Sequence, residues 1–194
     1  MIRTHITNVV IPDSVTSIGK YAFDDCSSLT EIVIPDSVTT IGWDAFYNCS
    51  SLTSVTIGNG VASVGGTAFR ECNSLTSVYI TDLESWCNIE FDDSYANPLC
   101  YGGNLYLNNV LVTELIIPNT VTEIKDEAFY GCDSLTELII PDSVTSIGYG
   151  AFQYCSSLTS VVIPDSVTSI DAHAFYDCMH LNEIKYTGSA RQWK

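Results

Sequence analysis

Positive charge is what this sequence most lacks. Lysine and arginine number 7 against 23 aspartates and glutamates, a net charge of −16 over 194 residues. A surface this acidic repels phosphate backbones and anionic lipid headgroups, so nucleic acid and charged membrane surfaces are excluded as partners. Long hydrophobic runs are missing too. None approaches the ~20 residues of a membrane-spanning helix, so no membrane insertion is expected. The three histidines, His5, His173 and His180, fall in no zinc-ligand pattern. There is no G-x-x-x-x-G-K, H-E-x-x-H or G-x-S-x-G. The acidic pairs Asp24-Asp25 and Asp92-Asp93 are too sparse for a calcium loop. No cofactor, metal site, catalytic residue or enzymatic activity is therefore expected. Hydrophobic residues make up 46% of the chain, which is enough to bury a core and argues against disorder.

What is abundant is repetition. Pro12 and Pro35 lie 23 residues apart, and Pro118, Pro141 and Pro164 keep that spacing. Ala-Phe pairs at 22–23, 45–46, 68–69, 128–129, 151–152 and 174–175 hold the same beat within each half. So do Cys26, Cys49, Cys72, Cys132, Cys155 and Cys178, each followed three residues later by a leucine. A fixed period of this length marks a solenoid, because one unit cannot bury its own apolar side chains. In the unit that starts at Leu135, Thr136 to Ile140 favour an extended segment. Pro141-Asp142-Ser143 ends it with turn chemistry, and Val144 to Ile147 form a second extended piece. Gly148 allows a corner, and Tyr149 to Cys155 can make one helical or 3₁₀ turn. Stacked units should sit about 5 Å apart, the spacing of hydrogen-bonded strands.

The phase breaks once, where Leu75 to Val112 spans 37 residues. Within this stretch Thr81 and Glu84 fit a helix capping box, and Asn108-Asn109 suggests a hairpin with positive φ. The segment from Asp92 to Pro98 reads as a loop. The stretch from Ile184 to Trp193 mirrors the opening of the irregular unit. The chain is therefore expected to be one solenoid fragment. Regular units cover 6–74 and 112–180, an irregular unit covers 75–111, and a partial unit covers 181–194.

The pattern I-P-x-x-V-T-x-I-x-x-x-A-F-x-x-C-x-x-L resembles the BspA-like leucine-rich repeats of bacterial surface proteins. The W-C-N-I-E-F and L-Y-L-N-N-V-L-V stretches of the irregular unit resemble inserts of that family. The resemblance implies a right-handed leucine-rich-repeat β-solenoid on a secreted or surface-anchored protein, often an adhesin, with no shared catalytic residues. It speaks to fold far more than to ligand.

Several rows compete as the functional surface. The cysteine row reads as a core ladder of small buried side chains rather than a disulfide stack, because parallel side chains on stacked turns do not converge. Cys87 and Cys100 stand outside it, and their pairing is open. Rows of threonine could order water against ice, or simply suit exposed β positions. Aromatics beside the Ala-Phe pairs, among them Tyr149, Tyr154 and Tyr176, could stack on a glycan or pack between coils. The row containing Val33, Tyr79, Ile116, Ile139 and Val162 lies between two core positions, so strand alternation turns it outward. Glu31, Glu114 and Glu137 lie two residues before stripe positions and would rim it with negative charge. An outward apolar stripe suits a protein partner, with basic patches favoured. Packing under a loop or against a neighbouring copy is the alternative. The expected function is macromolecule binding, in adhesion or protein–protein interaction. A carbohydrate-binding module and a purely structural spacer are the alternatives.

Overall fold

The computed structural model describes residues 5–187. Its elements are, in chain order, β1 (Ser17–Ile18), β2 (Glu31–Ile34), β3 (Thr40–Ile41), β4 (Ser54–Ile57), β5 (Ser63–Val64), β6 (Ser77–Ile80), α1 (Leu83–Cys87), β7 (Glu90–Phe91) and β8 (Asn104–Leu107). There follow β9 (Val110–Leu111), β10 (Glu114–Ile116), β11 (Glu123–Ile124), β12 (Glu137–Ile139), β13 (Ser146–Ile147), β14 (Ser160–Ile163), β15 (Ser169–Ile170) and β16 (Glu183–Tyr186). The chain is a β-solenoid with three walls. The first wall holds the longer strands, in the sheets β2-β4-β6-β8-β9 and β10-β12-β14-β16. The second wall holds the two-residue strands, as β1-β3-β5-β7 and β11-β13-β15. Every pairing is parallel except that of β8 with β9. The repeat is visible in the register: Leu115 faces Leu138, Leu138 faces Val161 and Val161 faces Ile184. Of the partial unit expected at 181–194, which mirrors the opening of the irregular unit, the part beyond residue 187 lies outside the described residues.

The third wall carries the Ala-Phe pairs, and it is not helical. Each unit makes a run of turns, as in Ala22 N–H to Gly19 C=O, Asp24 to Tyr21, Cys26 to Phe23 and Leu29 to Cys26. Two residues per unit take positive φ, four positions apart: Tyr21 and Asp25, Asp44 and Asn48, Thr67 and Glu71, Glu127 and Gly131, Gly150 and Tyr154, His173 and Asp177. The reason is hydrogen-bond accounting. A helix would spend its N–H groups within the segment. Alternating handedness instead aims every second N–H at the next coil, so that Phe23 donates to Ala45 (2.7 Å), Phe46 to Ala68 (2.9 Å) and Phe152 to Ala174 (2.8 Å). Gly131 meets a second demand, since a Cβ there would lie 2.6 Å from the Leu99 carbonyl oxygen.

One hydrophobic core runs through the stack. Phe23, Phe46 and Phe69 stack with centroids 5.2 Å apart, and Phe129, Phe152 and Phe175 at 5.3 and 5.4 Å. The cysteine row is buried and unbridged, and Cys87 and Cys100 are free thiols as well. The ladder thiols point at backbone: Cys49, Cys72, Cys155 and Cys178 donate to the phenylalanine carbonyl of the preceding coil at 3.1–3.2 Å. Burial pushes Cys132 and Cys178 up to about 11 and Cys155 well above its ordinary value. The threonine rows do the same work on the outside. The hydroxyls of Thr53, Thr136 and Thr159 each reach the threonine carbonyl one coil back at 2.9 Å, which turns those hydroxyls onto the backbone and disfavours an ordered-water face.

At the irregular unit, side chains take over part of the bonding that backbone supplies elsewhere. Among the described residues α1 is the only helix. It is capped by Asp82, not by the Thr81–Glu84 box that the sequence suggests. The Asp82 carboxylate accepts from the Ser85 hydroxyl and N–H, which hold its pKa below the ordinary value. Thr81 instead bonds Asn59 (3.0 Å). Asn108 and Asn109 take φ of 51° and 65°, closing the β8–β9 hairpin as their sequence suggests. On the third wall, Asp93 accepts from Thr67 N–H and Tyr101 Oη from Glu71 N–H, groups without a neighbouring backbone partner. From the other side, the buried Asn97 Nδ2 bonds the Glu127 and Ala128 carbonyls, and Trp86 Nε1 also reaches Ala128 (3.0 Å). These side chains tie the two regular stacks together.

Two outcomes follow from this packing. Phe152→Ala removes a ring stacked on both sides and should lower stability by ~3–5 kcal/mol, read as a lower denaturation midpoint. The six ladder thiols should resist a thiol reagent in native buffer and react on addition of denaturant, because the thiolate is the reactive form and burial suppresses it.

Candidate binding face

The outer side of the first wall is built by strand alternation. In β2 the order of burial is exposed, buried, exposed, buried, so Ile32 and Ile34 enter the core while Glu31 and Val33 face out. Parallel pairing lines up the outward positions: Val33 with Thr56, Thr56 with Tyr79, Tyr79 with Tyr106, and Tyr106 with Leu111 of the hairpin. Beyond the hairpin the row continues as Ile116, Ile139, Val162 and Lys185. Val33 is 58% exposed and Ile116 57%, fractions far too high for core residues. Tyr79, Ile139 and Val162 are partly covered by their neighbours.

The eight residues expected to form a site do not gather in one place. Ile116, Ile139 and Val162 occupy adjacent rungs of one sheet. Val33 and Tyr79 belong to the other sheet, with Thr56 between them. Glu114 and Glu137 are direct neighbours and rim the second sheet, whereas Glu31 is followed by Ser54, Ser77 and Asn104. The acidic rim is thus concentrated beside Ile116 and Ile139. Three contributors escape a reading by period alone. Tyr106 stacks on Tyr79 with centroids 4.8 Å apart, and Val110 and Leu111 project from the hairpin at 68% and 41% exposure. All three sit outside the 23-residue phase. The hairpin signal at Asn108-Asn109 was the available pointer to them.

The model of the BspA type leucine-rich repeat region matches six copies over residues 2–96 and 102–193. The chain belongs to the BspA-type leucine-rich-repeat family. Among solved structures, this BspA-type array resembles a leucine-rich repeat protein from Bacteroides ovatus, at 32% identity and TM-score 0.56 over 88% of this chain and 41% of that one. It also matches the Treponema pallidum leucine-rich repeat protein at 26% identity and TM-score 0.45, over 88% of this chain and 63% of that one. A leucine-rich cell surface protein of Faecalibacterium prausnitzii matches at 22% identity and TM-score 0.28, over 92% and 85%. The array therefore spans less than two thirds of the length of the first two. No curated protein matches it. No described helix is long and apolar enough to cross a membrane.

The BspA-type array carries one buried carboxyl group that its sequence does not advertise. Glu127 takes a positive-φ position on the third wall and is 7% exposed. Its Oε2 has no hydrogen-bond partner among the described residues. Gly150 makes room for it, since a Cβ there would lie 2.8 Å from that oxygen. Burial, aided by Asp126 and Asp93, raises the Glu127 pKa from 4.5 to about 7. A raised carboxyl pKa means the folded state holds the proton more tightly than the unfolded chain. Its contribution is fully present below pH 4.5 and is lost as pH rises through 7. Glu127→Gln should therefore leave the thermal midpoint near that of the parent at pH 4 and raise it above the parent at pH 8. A constant difference across this range would contradict the assignment.

Proposed function

We propose that this array is a non-enzymatic binding module of a secreted or cell-surface bacterial protein, and that it engages a protein on the outward face of its first wall. The observation that carries the reading is the outward row Ile116–Ile139–Val162, aligned on adjacent rungs, with Ile116 exposed, Ile139 and Val162 half-buried, and Glu114 and Glu137 beside it. The core requires only the inward positions to be apolar, so fold stability does not account for this row. Apolar side chains at the centre and carboxylates at the edge suit a partner that offers an apolar patch rimmed by lysine or arginine. The surface location rests on membership of the BspA-type family, whose repeats the sequence resembles in bacterial surface proteins.

Glycan binding on the tyrosine row is the weaker reading. Tyr154 meets Tyr130 and Tyr176 edge-on, and the Tyr149 hydroxyl bonds His173 Nδ1 at 3.0 Å. Those rings engage one another in preference to presenting free faces to a sugar.

Ile116→Ser with Ile139→Ser tests the protein reading. The double variant should keep a thermal midpoint close to that of the parent, because its targets face solvent. It should bind the protein retained in a pull-down about tenfold less tightly, the loss of ~1.4 kcal/mol. Loss of the fold would move the row into the core. A folded variant with undiminished affinity would place the binding face elsewhere, and silence of the parent toward both protein and glycan arrays would favour a spacer.

A further inference from the structure

The second wall contains a break that no side chain closes. At each regular junction one coil donates two backbone N–H groups to the coil before it. The first series is Thr39 to Thr16, Ala62 to Thr39, Glu90 to Ala62, Thr145 to Thr122 and Thr168 to Thr145, all at 2.9 Å. The second is Gly42 to Ile18, Gly65 to Ile41, Asp92 to Val64, Gly148 to Ile124 and Asp171 to Ile147, at 2.8–3.1 Å. The next members would be Thr122 N–H, and Lys125 N–H to the Phe91 carbonyl. Neither is formed among the described residues, and β7 and β11 lie in different sheets.

The cause is a mismatch in strand number between walls. Between β6 and β10 the first wall inserts β8 and its hairpin partner β9. Between β7 and β11, the strands that follow β6 and β10, the second wall inserts nothing. Each strand in a sheet takes up ~4.8 Å, so the second wall falls short by at least one strand at this level. The shortfall appears as a cleft of about 320 Å³ lined by Glu90, Phe91, Asp92, Glu123, Lys125 and Asp126. The third wall meets the same problem and solves it with Asp93, Tyr101, Asn97 and Trp86. The second wall does not.

We infer that this gap between β7 and β11 is a slot for one extended strand, contributed by a lysine- or arginine-bearing segment of a partner protein. A strand laid in the slot accepts a hydrogen bond from Lys125 N–H and donates one to the Phe91 carbonyl, completing the ladder by strand addition. The charge of the lining selects the occupant. Four of its six residues are carboxylates, and its single ammonium, on Lys125, is held by Glu123 at 2.7 Å. Asp92 is engaged by Trp43 Nε1 and Gly66 N–H, and Asp126 by Tyr149 N–H. Glu90 is the carboxylate left to meet an incoming cation, and Glu123 meets one by exchanging its partner Lys125. The slot is distinct from the stripe of the first wall and does not depend on it.

The test is a titration of the isotope-labelled protein with the capped peptide Val-Lys-Val-Lys-Val and with its fully N-methylated counterpart, which keeps both charges but cannot donate backbone hydrogen bonds. The unmodified peptide should shift the amide resonances of Phe91, Thr122 and Lys125 and slow hydrogen exchange at Lys125. Glu90→Gln with Glu123→Gln should weaken it about tenfold, the N-methylated peptide should not bind, and Ile116→Ser with Ile139→Ser should leave binding unchanged. If the unmodified peptide leaves these amides unmoved at millimolar concentration, or the N-methylated form binds equally well, the slot is refuted. In the first outcome the charges of the lining only guard an open sheet edge.

Discussion

Everything in this molecule depends on the backbone hydrogen bond from one coil to the next. No coil can satisfy its own N–H and C=O groups, and none can bury its own leucines and phenylalanines. Both needs are met by an identical neighbour placed one strand spacing away. The period of 23 residues brings each donor to its acceptor, and it also brings each Phe ring face to face with the next. The rows of cysteine and threonine strengthen the same connection, sending a thiol inside and a hydroxyl outside to the backbone of the coil before.

Much of this is legible in the sequence because a repeat is read many times over. The positions of Pro, Leu, Ala-Phe and Cys place the three walls, and the alternation of Glu31, Ile32, Val33 and Ile34 assigns the faces of the first. The free, buried cysteines follow from the same regularity. The outward stripe is legible as a row, but its division into two sheets is not. That division comes from β8 and β9, which lie in the irregular unit and are read only once.

The third wall is the clearest departure. Tyr149 to Cys155 suggests a helical turn, and the structure has alternating turns with Gly150 and Tyr154 at positive φ. Local preference favours the helix, because positive φ is costly for a tyrosine or a threonine. Tertiary demand prevails, because a helix would leave the third wall without bonds along the stack axis. Asp25, Asn48 and Asp177, at the second of these positions, belong to the residue types that tolerate such backbone best. The capping residue differs by one position for a simpler reason: Thr81 and Asp82 are adjacent candidates, and Asp82 is the one whose carboxylate reaches Ser85. Glu127 could not be read at all, since its burial is created by Gly150 one coil away and by the irregular unit on its other side.

The substitution of side chains for backbone at the irregular unit has a consequence for cooperativity. A repeat array behaves as a one-dimensional lattice in which each link couples only neighbours. Here the links within each half are uniform, and the link across the junction is of another kind. It runs in large part through Asn97, Trp86, Asp93 and Tyr101, four side chains that appear once, beside the Asp133 N–H bond to the Gly103 carbonyl and the shared core. The strength of coupling between the halves is thus written in a handful of residues and can change without touching a single repeat. Part of what decides whether the two stacks melt together therefore lies in those four positions.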